Sequence, residues 1–320
     1  MGRLVEAAFN AGFAVGSTLT AAAAYLVFQL MFKSTGNKRD SFETAVIKAK
    51  ERKASTSKSM MASSEQVNFL TDIVNRLWVK LSPAIGETVK TAVEPTLAES
   101  LPGPLASMHF TKCDFGQVPF RFDNILVHPL NDGMIKFDMD VVWDGACNIK
   151  LQAGRIHLGV KNIKLFGRLQ FIMSPLIDLL PCIGAIQYGF INPPTLELDF
   201  TGLANLADIG GVDKKIRTIL DDVIAGVMVL PNRMTYRMDL ACDYRDAFAA
   251  PLGIARLTAV SGRGFKVEKT KFKTDIPDVY LRVKLGSSPE WKTSVQNNTL
   301  SPAWNESADF VLSDTDQIVE

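Results

Sequence analysis

His109, His128 and His157 are the only histidines among the 320 residues, and each stands apart in sequence from any second catalytic group. A histidine works as a general base only when a nucleophile or water lies within hydrogen-bond reach. The chain has no Gly-x-Ser-x-Gly elbow, no His-Glu-x-x-His pair and no glycine-rich phosphate loop. The three histidines are therefore expected on strand faces or in turns. Cys113, Cys147, Cys182 and Cys242 are scattered, with no pair at metal or redox spacing, and read as reduced apolar fillers. Asp138, Asp140 and Asp144 alternate with apolar residues and read as a solvated strand face. What remains is the chemistry of holding an apolar ligand. Gly159 to Arg233 combines apolar strands with no catalytic polar cluster, as suits a greasy ligand.

The elements that would position such a wall follow from periodicity. Leu70, Ile73, Val74, Leu77, Trp78 and Leu81 repeat at helical spacing. The pattern breaks at Ser82-Pro83 and resumes through Ile85, Val89 and Val93, which predicts a kink or a second helix. Strands are predicted from Ile135 to Asp144, from Ile156 to Val160, from Ile163 to Met173 with Gly167 as a bend, and from Leu196 to Phe200. A helix follows, with Ile216, Ile219, Leu220, Val223, Ile224 and Val227 on one stripe. Long antiparallel strands with one apolar face must be covered by helices or curl onto a ligand.

The termini differ in character. From Ala7 to Phe32 no residue is charged. As a helix this run would span about 39 Å, against about 30 Å of bilayer hydrocarbon. Residues 1–32 are thus expected to be a membrane anchor, spanning or as a shallow hairpin. Residues 33–63 form a linker with Lys33, Lys38, Arg39, Lys48, Lys50, Arg52, Lys53 and Lys58 against Asp40, Glu43 and Glu51. That basic flank places the bulk of the protein in the cytosol and suits an anionic phospholipid surface, although a plain solvated linker remains open. A globular domain is expected over 64–245. A short all-β module over 252–320 includes Leu257–Val260, Val279–Leu285, Lys292–Gln296 and Ala308–Leu312. Its last strand is expected to lack a closing partner, as in a fragment of a longer protein.

Glu65 to about Met238 resembles the synaptotagmin-like, mitochondrial and lipid-binding-protein (SMP) domain of extended synaptotagmins, tricalbins and plant synaptotagmins. The likeness runs over Phe69-Leu70, Leu77-Trp78, Phe110-Thr111, Val127-His128-Pro129 and Gly159-Val160-Lys161. It continues through Leu165-x-Gly167-Arg168-Leu169, Thr201-Gly202-Leu203 and Val229-Leu230-Pro231-Asn232-Arg233. Ile209-Gly210-Gly211 stands where the family usually has Ile-Pro-Gly, and Leu206-Ala207 replaces a Leu-Leu pair. The second module resembles the first half of a C2 domain, with Pro277-Asp278-Val279-Tyr280-Leu281 and Ser301-Pro302-Ala303-Trp304-Asn305-Glu306.

The resemblance implies an α+β fold of the tubular lipid-binding (TULIP) type, in which a long twisted antiparallel sheet and helices surround an apolar groove. It implies no enzyme, no cofactor and no nucleic-acid partner. Glycerophospholipid is the implied cargo, carried between endoplasmic reticulum and plasma membrane at contact sites by a homodimer. A static tether without lipid transfer is the alternative. The implied lipid-binding residues are Phe137, Met139, Val141, Ile156, Leu158, Leu165, Leu169, Phe171, Leu196, Leu198, Val223 and Val227, for each of which ordinary dry core is the competing role. C2 domains hold calcium with loop carboxylates; Asp278 matches one such ligand and Asp275 lies nearby, so calcium is a possible ligand of a complete C2 domain. Lys266, Lys269, Lys271 and Lys273 could meet anionic lipid there.

Overall fold

The computed structural model describes residues 41, 43–48, 64–128, 133–202, 212–265, 267–269 and 274–320. The run from Ala7 to Phe32, most of the basic linker, the Leu206 to Gly211 turn, Lys266, Lys271 and Lys273 lie outside them. Among the described residues, no helix is long and apolar enough to cross a membrane. The chain divides near residue 250 into two compact units.

In the first unit, helix α1 (Ser64–Ser100) runs through both Pro83 and Pro95. The sequence left open a second helix; the structure has one. A proline removes a backbone donor and crowds the preceding turn. Here Val74 and Trp78 before Pro83, and Val93 and Leu97 after it, bury into the same core and hold both halves in line.

The sheet is built on two long strands, β3 (Ile135–Ala153) and β4 (Ile156–Met173), paired along nearly their whole length. Strands usually run about 3–10 residues; these 19 and 18 residues reach about 60 Å. On one flank β1 (His109–Asp114) and β2 (Arg121–Val127) lie against successive parts of β3. On the other, β5 (Ala185–Phe190) and β6 (Thr195–Thr201) share β4. Helix α2 (Val212–Met228) packs on the same face as α1, and β7 (Met234–Arg237) adds outside β5.

Two expectations are corrected. Gly167 is not a bend, since β4 continues through it. Its role is close approach: a Cβ there would fall 2.8 Å from the Phe190 ring and 2.9 Å from Pro194. Asp138 and Asp140 are not solvated; they are 2% and 3% exposed. Alternation separates the two faces of a strand, but it does not say that the polar face meets water. Here Asn124 and His128 near β2, and Arg168 on β4, enclose both carboxylates.

In the second unit, β8 (Gly253–Ser261) pairs antiparallel with the last long strand, Ala303–Leu312. That strand therefore has a partner within the unit, contrary to expectation: Ala308 stands opposite Leu257 and Phe310 opposite Ala255. Leu257, Val283, Leu285 and Phe310 form one small core, and Ala259, Val279 and Trp304 another.

Candidate functional site

Strand register decides which side chains share a wall. Across β3 and β4, Phe137 faces Phe171, Met139 faces Leu169, Val141 faces Gly167 and Trp143 faces Leu165. Beyond a register shift, Ile149 faces Val160, Leu151 faces Leu158 and Ala153 faces Ile156. β6 continues this wall with Leu196 beside Leu165, Leu198 beside Ile163 and Phe200 beside Val160. β5 extends it with Phe190 beside Leu169 and Tyr188 beside Phe171. Apart from the indole of Trp143, only Tyr188 in this wall carries a side-chain polar atom, and burial pushes its phenol above the ordinary value. Apart from that phenol, the wall carries no ionisable side chain. Its chemistry is the exclusion of water from hydrocarbon.

All the strand residues expected to contact lipid lie on this one face. Met139, Val141, Leu158 and Leu198 are buried. Phe137, Ile156, Leu165, Leu169, Phe171 and Leu196 are half-buried. On α2, Val223 is half-buried against the main cluster, whereas Val227 is 39% exposed and belongs to neither cluster of this unit. Ile163 and Phe200, whose strands were predicted, were left out of the expected lipid contacts, and periodicity alone missed Phe120, Phe122, Tyr188 and Phe190; all six belong to the same wall or pack against it. Tyr188 and Phe190 alternate about Gly189, a signal too short to identify a strand without its partner.

The half-buried residues bear on function. Leu165, Leu169, Leu196, Phe200, Phe120, Phe122, Leu220 and Val223 all pack against buried clusters yet keep exposed surface. The helices thus cover the wall incompletely.

α1 is fixed to the sheet by an aromatic cluster. Trp78 meets Trp143 edge-on with centroids 5.5 Å apart and Phe120 at 5.8 Å. Its indole N–H donates to the Gly116 carbonyl at 2.9 Å, and that of Trp143 donates to the Val118 carbonyl at 2.8 Å. Gly116 has φ +72°, and a Cβ there would lie 2.1 Å from the Ala146 carbonyl oxygen, so glycine is required.

The opposite face carries the polar groups. Nε2 of His128 hydrogen-bonds Oδ2 of Asp138 at 2.6 Å, and Asn124 donates to Asp140 at 2.7 Å. Arg168 bridges the two carboxylates, 3.5 Å from Asp140 and 3.8 Å from Asp138. Burial pushes the Asp138 carboxyl above the usual carboxylate range, offset in part by the His128 bond. His109 and His157 are exposed.

Asp278 of the second unit accepts the Asn298 backbone N–H at 2.8 Å. Asp275 lies on a two-residue strand, Thr274–Asp275, and its side chain is outside the described residues. Among the described residues, no three acidic, histidine or cysteine side chains are placed to hold a metal ion.

Known proteins share this arrangement. The profile of the synaptotagmin-like mitochondrial-lipid-binding domain matches residues 63–239, and that of the C2 domain matches 253–320. The chain belongs to the synaptotagmin-like mitochondrial-lipid-binding domain family. It carries this SMP domain followed by C2-domain residues, the order found in extended synaptotagmin 2. Extended synaptotagmin-2 of Mus musculus is 30% identical over 253 residues, covering 76% of this chain and 30% of that protein. Extended synaptotagmin-3 of Homo sapiens is 29% identical over 253 residues, covering 78% of this chain and 28% of that protein. The solved structure of extended synaptotagmin 2, comprising its SMP domain and the C2 domains that follow, aligns with a TM-score of 0.58 at 29% identity, over 79% of this chain and 54% of that one. The chain thus spans about 30% of the length of these curated relatives.

Proposed function

We propose that the SMP domain binds glycerophospholipid by its acyl chains and carries it between membranes. The supporting observation is the uninterrupted apolar wall of β3, β4, β5 and β6, whose inward side chains are incompletely covered by α1 and α2. An acyl chain crossing water exposes about 0.8 kcal/mol of unfavourable surface per methylene, and a half-open wall removes that cost over the same path. Apolar contacts are non-directional, so they release cargo as readily as they capture it.

The chain order completes the proposal. The uncharged run Ala7 to Phe32 anchors one bilayer, that of the endoplasmic reticulum, with the remaining residues in the cytosol. The SMP domain acts as a homodimer. The C2 residues, within a complete domain that binds calcium through loop carboxylates including Asp278, dock on anionic phospholipid of the plasma membrane. Relatives of this name and domain order support the reading.

The direct test is native mass spectrometry of residues 39–249, the compact unit, purified from cells. Co-purified phospholipid and transfer between labelled vesicles are the expected results; absence of both leaves only a tether.

A further inference from the structure

The turn between β4 and β5 leaves large apolar side chains uncovered. Leu179 is 71% and Leu180 92% exposed, while Ile177 and Ile183 of the same turn are half-buried. The turn is not a frayed loop. Ile177 donates to the Cys182 carbonyl at 3.1 Å, Gly184 to Pro175 at 2.8 Å and Leu176 to Gly133 at 2.9 Å. Beside it runs the chain leaving β7, whose Met238 and Asp239 amides both donate to the Gly184 carbonyl. β7 itself presents Tyr236 at 66% exposure, and the chain after it Leu240 at 80%.

We propose that this tip inserts into the interfacial zone of a lipid bilayer, with Leu179 and Leu180 entering the acyl boundary. Two observations favour a bilayer over a folded partner. The tip continues directly from the apolar wall: the aromatic row Phe137, Phe171, Tyr188 crosses three adjacent strands just before the turn, with ring centroids 4.8 Å and 6.3 Å apart. On the anchor reading proposed above, the uncharged Ala7–Phe32 run holds the chain to a bilayer through the 33–63 linker, whose 31 residues reach at most about 100 Å. In the turn and the segment after β7, Asp178, Asp239 and Asp243 stand against Arg237 and Arg245. Attraction to anionic headgroups is therefore not the driving force, and insertion depends on apolar burial alone. This holds whether or not the wall carries lipid, so its test is separate from that of cargo binding.

The full chain is reconstituted in phosphatidylcholine vesicles. An environment-sensitive fluorophore is attached at Leu180→Cys in a Cys182→Ser, Cys242→Ser background, with Leu179→Cys as a second labelling site and exposed Lys161→Cys as reference. Phosphatidylcholine bearing a nitroxide in its acyl chain is expected to quench the tip probe about twofold or more and leave the Lys161 probe unchanged, as for a group at the acyl boundary. Raising salt to about 0.5 M is expected to leave that quenching intact, because screening acts on charge and not on apolar burial. The double change Leu179→Asp, Leu180→Asp, labelled at Tyr236→Cys in the same serine background, is expected to lose quenching at that site. Equal quenching at both positions, or none, overturns the proposal. So does quenching that requires phosphatidylserine and disappears in salt. A concentration-dependent blue shift of the tip probe in detergent without vesicles assigns the surface to a second copy of the chain instead.

Discussion

Gly167 and Phe190 touch at a distance no larger residue tolerates: a Cβ on Gly167 would lie 2.8 Å from two atoms of the Phe190 ring. The ring cannot swing away, being 4% exposed in a cluster with Val141, Ala225 and Val229. Gly167→Ala is expected to destabilise the first unit by about 1–3 kcal/mol, the usual cost of overpacking. Adding Phe190→Leu should recover part of that loss, since neighbouring sites couple. Urea denaturation of the four-member cycle reads both. Strict additivity would show that the ring does not set the requirement for glycine.

Trp78 joins α1 to the sheet through its ring contacts and its bond to Gly116. Trp78→Ala is expected to cost about 3–5 kcal/mol. Trp78→Phe keeps a ring but leaves the Gly116 carbonyl without this donor, and should cost only about 1–3 kcal/mol. Thermal melts of the two variants should therefore separate clearly. Equal melting points would mean that the aromatic cluster does not hold the helix.

The strands that line the wall were legible because their apolar residues recur at period two over long stretches, as from Ile135 to Trp143 and again in Leu196, Leu198 and Phe200. The helical face of α2 was legible from Ile216, Ile219 and Leu220 for the matching reason. β5 was not, because six residues with Gly189 among them hold too few repeats. The burial of Asp138 and Asp140 was not legible either. Their partners Asn124, His128 and Arg168 are remote in sequence, and pairing, rather than pattern, makes such burial tolerable. The uninterrupted α1 depends in the same way on tertiary contacts on both sides of Pro83.

The buried Asp138 carboxyl should make stability fall with rising pH. Its pKa is raised in the folded state, so between the ordinary carboxylate value of about 4 and its folded value the native state binds more protons than the unfolded one. Stability then falls as pH rises through that window. Asp138→Asn removes the titration. The stability of wild type minus that of the variant is therefore expected to decline with pH above about 4 and then level off. Urea midpoints measured in steps across the acidic range test this. A difference that is flat or rises with pH would contradict it.

Thiol reactivity should sort by environment. Burial pushes Cys113 and Cys147 up to about 11, which leaves little reactive thiolate at neutral pH. Cys182 is exposed. Brief treatment with an alkylating agent at mild alkaline pH, read by peptide mass spectrometry, is expected to modify Cys182 first and Cys113 and Cys147 only on unfolding. Early modification of Cys147 would mean that its strand opens readily.

Val223 offers the sharpest separation between a carrier and a plain scaffold. It lies on α2 against the wall, half-buried and next to groups that keep exposed surface. Val223→Trp places an indole in the incompletely covered space. Lipid occupancy is expected to fall about tenfold, equal to about 1.4 kcal/mol, which corresponds to displacing about two methylenes from the wall. The melting temperature should move by no more than about 2–4 °C, the shift for about 1 kcal/mol in a domain of about 150–250 residues. Thr218→Trp, on the exposed face of the same helix, controls for the added ring and should leave occupancy unchanged. Undiminished lipid in Val223→Trp would place the cargo elsewhere; a collapsed melting point would show that Val223 belongs to dry core, with no ligand behind it.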